Sequence, residues 1–277
     1  MQRTPRHSVS TTSSNDSRSA RSPSIFDATS PTSPFTTPPS SLITAKSNDA
    51  AGSLLFSPAV GVSFTKGTNL FKLKFTRIDV LKDATGALRR LEMSADAHKR
   101  ESVFFVNFPN TRLPVPHLEQ PYVPRAAAYR VSFLEEQTMQ TGGNLFQAKP
   151  SFSFDRWEDC VRFQEALLGQ QVVFVAGMAE AKSKGRGEEC ITQNLRVLRV
   201  RGTDRLTMVF FANSQRKEKR RYVSVPVASV DGVEAGKKGK VAIRLREEGE
   251  VLKAMKVLQV QFLEEGDAVR FLHFVKR

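Results

Sequence analysis

The chain has 277 residues, of which 40% are hydrophobic, so it can bury two ordinary cores even if one stretch stays unfolded. Its formal net charge of +14 favours acidic partners such as anionic membrane surfaces or nucleic acid. No apolar run approaches the roughly 20 residues of a membrane-spanning helix, and the first residues lack the apolar segment of a secretory signal. The two cysteines, Cys160 and Cys190, indicate no disulfide framework and favour a reducing cytoplasm or nucleus.

Residues 1–60 are rich in Ser, Thr and Pro, and we predict a disordered tail because they cannot bury enough apolar surface to offset chain entropy. An Arg- and Ser-rich start is also typical of a mitochondrial presequence, but Pro5, Asp16 and the missing apolar face argue against one. Candidate sites for proline-directed kinases are Thr4, Ser22, Ser30, Ser33 and Thr37. Chance Ser-Pro pairs in a flexible leader are the alternative.

A first folded module is predicted over residues 63–169. Its strands are predicted over residues 70–76, 87–93, 103–108, 129–133 and 152–154. A turn at 83–86 separates the first two, and five prolines within 109–124 predict a surface loop of polyproline character. Residues 121–125 have the PxxP form that polyproline-binding grooves accept, with a stiff loop as the alternative.

The stretch Phe154 to Leu168 predicts the last strand and the closing helix of this module. Cys160, Phe163 and Leu167 recur at helical spacing and form one buried stripe. Gly169 follows where a left-handed C-cap is usual. Because the next strand starts almost at once, we expect the following module to pack against this one.

The same pattern closes the chain 108 residues later. A strand ends at Phe262, and a helix from near Gly266 carries the stripe Ala268, Phe271 and Val275. The predicted core positions of the two copies are Phe154, Phe163, Leu167, Phe262, Phe271 and Val275.

Two shorter matches favour an internal duplication. Residues 88–91 (LRRL) resemble residues 195–198 (LRVL), and residues 103–107 (VFFVN) resemble residues 209–213 (VFFAN). Chance similarity between strands rich in Phe and Val is the alternative.

The second module is predicted over residues 171–277. Its strands are predicted near residues 171–176, 191–200, 206–213, 221–227, 240–246 and 255–262. Three basic loops lie between them and supply the candidate anion-binding residues: Lys182, Lys184 and Arg186; Arg216, Lys217, Lys219, Arg220 and Arg221; Lys237 and Lys238. This module holds 22 Lys and Arg against 13 Asp and Glu, a net charge of +9, whereas residues 51–170 carry +3.

About seven strands and one closing helix, in about 107 residues, is similar to the pleckstrin-homology superfold, and two copies would cover residues 63–277. Residues 163–167 (FQEAL) resemble the W-x-x-A-L signature of that family's closing helix, with Phe163 and Phe271 in the place of its tryptophan. The single tryptophan, Trp157, lies six residues too early, so the resemblance is to the fold and not to ordinary family members. It implies a mainly β fold with α, built from two antiparallel barrel or sandwich modules. An unrelated double β-sandwich is the alternative.

The family usually binds phosphoinositide headgroups with basic residues in the loop that joins its first two strands. Lys182-x-Lys184-x-Arg186 resembles its K-x(n)-[K/R]-x-R pattern. In the family the cations lie on the strands that flank the loop, whereas here they fall in the middle of a loop predicted over 179–187. A solvated charged loop or a non-specific surface patch is the alternative. In the first module the matching loop, placed at 81–86, has balanced charge, which favours protein contacts.

We therefore expect a non-catalytic adaptor, cytoplasmic or peripheral at a membrane, that binds anionic lipid, a protein partner or both. No catalytic, metal or cofactor motif is recognisable, since the four histidines are scattered and no Cys/His spacing suits a metal. The alternative is a nuclear protein that binds nucleic acid or histones, because double modules of this kind occur in histone chaperones. Against it, no aromatic residue is interleaved with the basic run 216–221.

Overall fold

The computed structural model describes residues 52–96, 103–109, 115–213, 222–246 and 248–275. These residues are mainly β, in two antiparallel sheets, and a helix follows the last strand of each sheet. Both sheets belong to one compact unit. Within the described residues no helix is long and apolar enough to cross a membrane.

The first sheet has nine strands rather than the expected seven or so. They are β1 (Gly52–Lys66), β2 (Asn69–Lys82), β3 (Leu88–Ser94), β4 (Phe104–Asn107), β5 (His117–Leu118), β6 (Tyr129–Ser132), β7 (Gln137–Thr141), β8 (Asn144–Ala148) and β9 (Ser151–Phe154). Their spatial order is β5-β6-β9-β1-β2-β3-β4-β7-β8, and helix α1 (Trp157–Leu168) follows β9. A turn at Gly142 and Gly143 joins β7 to β8.

Strand β1 begins inside the stretch 1–60 that was predicted to be a tail. Phe56, Val60, Val62 and Phe64 on this strand are buried in the first core. The boundary at residue 60 therefore falls within a strand, because Ser and Pro between these apolar positions masked their alternation. Residues 1–51 lie outside the described residues.

In the described part of the second module, the sheet has seven strands and three short helical segments lie around it. The strands are β10 (Gln170–Ser183), β11 (Gly187–Val200), β12 (Leu206–Phe211), β13 (Tyr222–Pro226), β14 (Val230–Ala235), β15 (Lys240–Leu245) and β16 (Val257–Phe262). Their order is β13-β12-β11-β10-β16-β15-β14. A 3₁₀ turn (Val227–Ser229) precedes β14, α2 (Gly249–Met255) precedes β16, and α3 (Glu265–Val275) closes the chain.

In both sheets the first strand pairs with the second strand and also with the last one. The two copies of the closing pattern are β9 with α1 and β16 with α3. They therefore occupy equivalent positions in the two sheets. The two shorter sequence matches do not, since residues 88–91 lie in the third strand of their sheet and residues 195–198 lie in the second. Residues 103–107 and 209–213 likewise lie in the fourth strand of one sheet and the third strand of the other. These two matches therefore reflect the similar composition of strands, and the prediction that they indicate a duplication was wrong.

Local patterns explain the elements that were predicted well. The Asp83 carboxylate accepts hydrogen bonds from the backbone N–H groups of Thr85 and Ala87, which closes the expected turn. Gly169 adopts a φ of 68° after α1, which confirms the left-handed cap. The elements that were not predicted are β1, β5, β7, β8, β14 and α2.

Helix α1 packs on two surfaces at once. Cys160, Phe163 and Leu167 belong to the core of the first sheet. Gln164, on another side of the helix, is fully buried and accepts a hydrogen bond of 2.7 Å from Arg196 on β11. Arg196 pairs across the strands with Val175 and Val209, so α1 covers the face of β10 to β12 that points away from the second core. The two modules are packed together, as the short connection indicated.

The chain between β5 and β6 completes this junction. Asn194 on β11 accepts a hydrogen bond of 2.6 Å from the backbone N–H of Tyr122 and donates one of 2.7 Å to the carbonyl of Gln120. Pro121 lies against Gly177 on β10, where a Cβ atom would be 3.2 Å from its ring. Pro121 and Tyr122, which begin the PxxP stretch, therefore belong to the junction between the modules, whereas Val123, Pro124 and Arg125 are exposed.

Candidate functional site

Lys182, Lys184 and Arg186 lie on a tight β-hairpin and not in the long loop predicted over 179–187. Strand β10 continues to Ser183, and β11 resumes at Gly187. The prediction was wrong because Ala-Glu-Ala-Lys-Ser was interpreted as loop composition. Ala181 and Cys190 are fully buried partners across the hairpin, so the alternation continues to its tip.

Arg186 is part of a buried network and does not point to solvent. Its side chain is 11% exposed, and its Nε atom lies 3.4 Å from the carboxylate of Glu189, which is fully buried. The same carboxylate oxygen accepts a hydrogen bond of 2.6 Å from the Ser183 hydroxyl. Because a buried carboxylate is costly without compensation, the role of Arg186 is to neutralise Glu189.

Lys182 is also engaged, through an ion pair with Glu180 two residues earlier on the same face of β10. Both side chains line an open groove of about 430 Å³ across β10, β16, β15 and β14. The groove is further lined by Lys240, Gln259 and Gln261. The three cations of the motif therefore do not converge on one point, and the geometry does not form a pocket for a single phosphate group.

Helix α2 covers the tip of this hairpin. The backbone N–H of Lys184 donates to the carbonyl of Val257 at 2.9 Å, just after the helix. A Cβ atom at Gly185 would overlap the carbonyl oxygen of Ala254, so only glycine fits there. Leu252 and Met255 anchor α2 in the second core. Their i, i+3 spacing was the available signal for this helix, but seven residues are too few for a confident periodicity.

Three exposed lysines meet where α2 contacts the hairpin, and we call this set, Lys184, Lys253 and Lys256, the basic end. None of them forms an ion pair within the described residues. Lys253 and Lys256 were not among the predicted anion-binding residues, because α2 and its position beside the hairpin could not be derived from the sequence.

The basic run with Arg216, Lys217, Lys219, Arg220 and Arg221 lies outside the described residues. The chain leaves β12 beside the hairpin, since the backbone N–H of Asn213 donates to the carbonyl of Glu189 at 2.9 Å. The Asn213 side chain accepts a hydrogen bond from the backbone N–H of Ile191. Asn213, the last described residue after β12, therefore lies at the same end of the sheet as the basic end.

The third predicted loop, with Lys237 and Lys238, lies at the opposite end of β16. The backbone N–H of Phe262, the last residue of β16, donates to the carbonyl of Gly239 at 3.0 Å. Lys184, by contrast, bonds to Val257, the first residue of that strand. The three basic loops therefore do not share one end of the sheet.

The predicted position of the loop between the first two strands of the first module was wrong. The stretch 81–86 holds the turn between β2 and β3, whereas β1 and β2 meet at residues 67–68. Lys66, Lys72 and Lys74 lie on the strands that flank this turn. The error follows from missing β1, and the alternation from Val60 to Phe64 was the signal that could have prevented it.

The predicted core residues lie inside the two modules. Phe163 packs on Phe152 and Phe154 with ring centroids 4.7 and 5.2 Å apart. Phe271 packs on Phe262 at 5.5 Å. Phe154, Phe163, Leu167, Phe262 and Phe271 are buried, whereas Val275 is only partly buried against the second core.

The thiols are poorly suited to chemistry. Burial raises the pKa of Cys160 and of Cys190 to about 12, so neither is an activated nucleophile near neutral pH. The described residues contain no group of three or more His, Cys, Asp or Glu that could hold a metal ion. The candidate phosphorylation sites Thr4, Ser22, Ser30, Ser33 and Thr37 lie outside the described residues.

Comparison with models of known protein families finds no match to this chain. A search of curated proteins likewise finds no sequence that matches it.

Proposed function

We propose that the protein is a non-catalytic adaptor that binds anionic membrane surfaces through the basic end of its second module. The observation that carries this proposal is the meeting of Lys184, Lys253 and Lys256 at one end of the sheet without ion-pair partners among the described residues. Each lysine near an anionic leaflet contributes about 1 kcal/mol, so the three would give about 3 kcal/mol. The five cations of 216–221, which follow Asn213 in the sequence, would add to this attraction.

The proposed binding is electrostatic and does not depend on a headgroup pocket. Arg186 is committed to Glu189, and Lys182 to Glu180. Helix α2 occupies the space at the hairpin tip where a headgroup would have to approach. We therefore expect similar affinity for different anionic lipids of equal charge density.

For the fold we propose two modules that are similar to the pleckstrin-homology superfold. The seven antiparallel strands of the second sheet, followed by α3, support this proposal, as does the matching place of α1 after the first sheet. An unrelated pair of β-sandwiches is the alternative.

Co-sedimentation with vesicles tests the proposed function. The variant Lys184→Glu, Lys253→Glu should lose binding to vesicles of phosphatidylcholine with phosphatidylserine. The matched control, Lys237→Glu, Lys238→Glu, changes the net charge equally at the opposite end and should retain most of the binding. Equal loss in both variants would mean that net charge alone drives association, and the basic end would lose its role.

Competition with duplex DNA at fixed salt distinguishes membrane binding from the alternative function, nucleic-acid binding. If DNA displaces the protein from vesicles of equal anionic charge, the nuclear interpretation replaces the membrane one. Salt dependence alone would not separate them, because both interactions are electrostatic.

A further inference from the structure

The first module carries an apolar surface where two hairpins approach each other. One hairpin joins β1 to β2, and the other joins β7 to β8. The Phe64 ring links them, since its centroid lies 5.3 Å from that of Phe71 on β2 and 5.4 Å from that of Phe146 on β8. We call this end of the sheet the hairpin tip.

Exposed apolar side chains are concentrated at this tip. Ten large hydrophobic side chains are exposed within the described residues, and four of them lie here: Leu70 at 60%, Phe71 at 40%, Val103 at 53% and Leu145 at 65%. Val103 adjoins the second hairpin, because its carbonyl accepts a hydrogen bond from the Thr141 hydroxyl. Such a concentration on one surface marks an interaction site more often than scattered exposure does.

Both turns of the tip project into open space. A Cβ atom added at Gly67, Gly142 or Gly143 would meet no other atom within 4 Å. Successive residues of β2 point to opposite faces, so Leu70 and Phe71 place apolar groups on both sides of the first hairpin. A tip that is apolar on both sides is suited to insertion into a bilayer, which would surround both sides. A docked protein would cover only one side.

The two hairpins of the tip carry charge of a single sign. Residues 60–76 and 137–148 contain no Asp or Glu, but they contain Lys66, Lys72 and Lys74. Lys72 and Lys74 are exposed, and the Lys66 ammonium lies 4.7 Å from the centroid of the Phe146 ring. None of the three lysines forms an ion pair within the described residues. Long lysine stems can lie along apolar groups while their ammonium groups reach an anionic layer.

We propose that the hairpin tip inserts into the interfacial region of an anionic bilayer. Leu70, Phe71 and Leu145 would enter the boundary between headgroups and acyl chains, and the lysines would meet lipid phosphates and carboxylates. A bilayer is favoured over a protein partner because the two hairpins offer projecting apolar groups and one sign of charge rather than a grooved surface with both signs. The inference rests on the proposed function only in its choice of an anionic bilayer as the ligand.

Depth-dependent fluorescence quenching tests insertion directly. The full-length variant Leu70→Trp is mixed with vesicles of phosphatidylserine and phosphatidylcholine, with and without bromine atoms on the acyl chains of the phosphatidylcholine. We expect the brominated lipid to quench its emission. The matched control is Leu55→Trp, since Leu55 is a leucine of similar exposure, 54%, near the start of β1. The control should show no more quenching than the wild type, which reports Trp157 alone.

Vesicle affinity gives a second readout. The variant Leu70→Ser, Leu145→Ser removes two exposed side chains without touching the core, and we expect binding to fall about tenfold. The control Leu55→Ser, Val123→Ser, which removes apolar groups of similar exposure elsewhere, should bind like the wild type.

The outcomes separate this inference from the proposed function. If Lys184→Glu, Lys253→Glu abolishes binding while Leu70→Trp is never quenched, the basic end holds the protein on the membrane. The proposal that the hairpin tip inserts is then wrong. If Leu70→Trp is quenched and the lysine variant binds vesicles as the wild type does, the hairpin tip is the membrane anchor. The proposed role of the basic end is then wrong. If the wild type binds no anionic vesicle, both fail.

Discussion

His117 is the residue that most directly links the two modules to solution pH. Its Nε2 atom lies 3.1 Å from the side-chain oxygen of Gln193, and its ring packs edge-on against Phe211 at 4.7 Å. Burial lowers the pKa of His117, and the nearby Arg196 charge lowers it further. Gln193 and Glu119 act in the opposite direction but do not reverse the shift.

The junction should therefore weaken in acid. The folded protein holds His117 neutral, and the unfolded chain binds a proton near pH 6.5, so protons favour unfolding as the pH falls below that value. Full stability is present above pH 6.5. We expect the urea midpoint of the wild type to fall between pH 7.5 and 5.5, and the fall to be smaller in His117→Gln.

The matched control is His273→Gln, because His273 is exposed on α3. It should keep the pH dependence of the wild type. An unchanged pH dependence in His117→Gln would show that the junction does not carry this effect.

At the scale of elements, α1 and β11 meet through a buried cation that has an amide for a partner. Arg196 is 1% exposed, its Nη1 donates to Gln164, and its Nη2 has no hydrogen-bond partner among the described residues. Burial lowers the pKa of Arg196 to about 10, so it stays charged at neutral pH. A buried charge with incomplete compensation adds little stability of its own but makes its remaining partner important.

A double-mutant cycle tests this contact. Gln164→Leu removes the side-chain hydrogen-bond partner of the guanidinium and should cost about 2 to 3 kcal/mol in the free energy of unfolding. Adding Arg196→Met should recover most of that loss, because two apolar side chains then pack at the junction. Urea unfolding of the single and double variants measures the coupling.

An exposed amide provides the comparison for this cycle. Gln147 on β8 donates to the Thr138 hydroxyl at the surface, so Gln147→Leu should change stability by no more than about 0.5 kcal/mol. If Gln164→Leu changes the free energy of unfolding as little as Gln147→Leu does, the buried contact stabilises the protein no more than an exposed one.

The elements differ in how far the sequence could specify them. Apolar patterns predicted β2, β3, β4, β6, β9 and most of the second sheet. The stripe Cys160, Phe163 and Leu167 predicted α1, because each pattern lies within one element. Contacts between distant elements left no such pattern. The pairing of Arg186 with Glu189 and of Lys182 with Glu180 removed two cations from the predicted site. The cover of α2 over Gly185 brought Lys253 and Lys256 to Lys184.

At the scale of the whole molecule, the two modules share buried surface and should not unfold separately. Val175 on β10 belongs to the core of the first module, although its strand is part of the second sheet. A further small cluster joins Leu168 of α1 to Leu198 and Val209. Cutting the chain after Gly169 would remove part of the first core and expose one side of α1.

We expect a single thermal transition in which the calorimetric and van't Hoff enthalpies agree. A fragment of residues 52–169 should be much less stable than the intact chain, or should aggregate, because its helix would expose Leu168 and lose Val175. Two resolved transitions, or a fragment as stable as the intact chain, would show that the modules are independent.

The double role of α1 also has a consequence for the order in which the protein is made. Translation completes β1 to β9 and α1 before any residue of β11 or β12 has been added. The side of α1 that carries Gln164 and Leu168 must therefore remain uncovered on the ribosome until the next strands emerge, and during that interval the nascent chain exposes a surface that can recruit chaperones or associate wrongly.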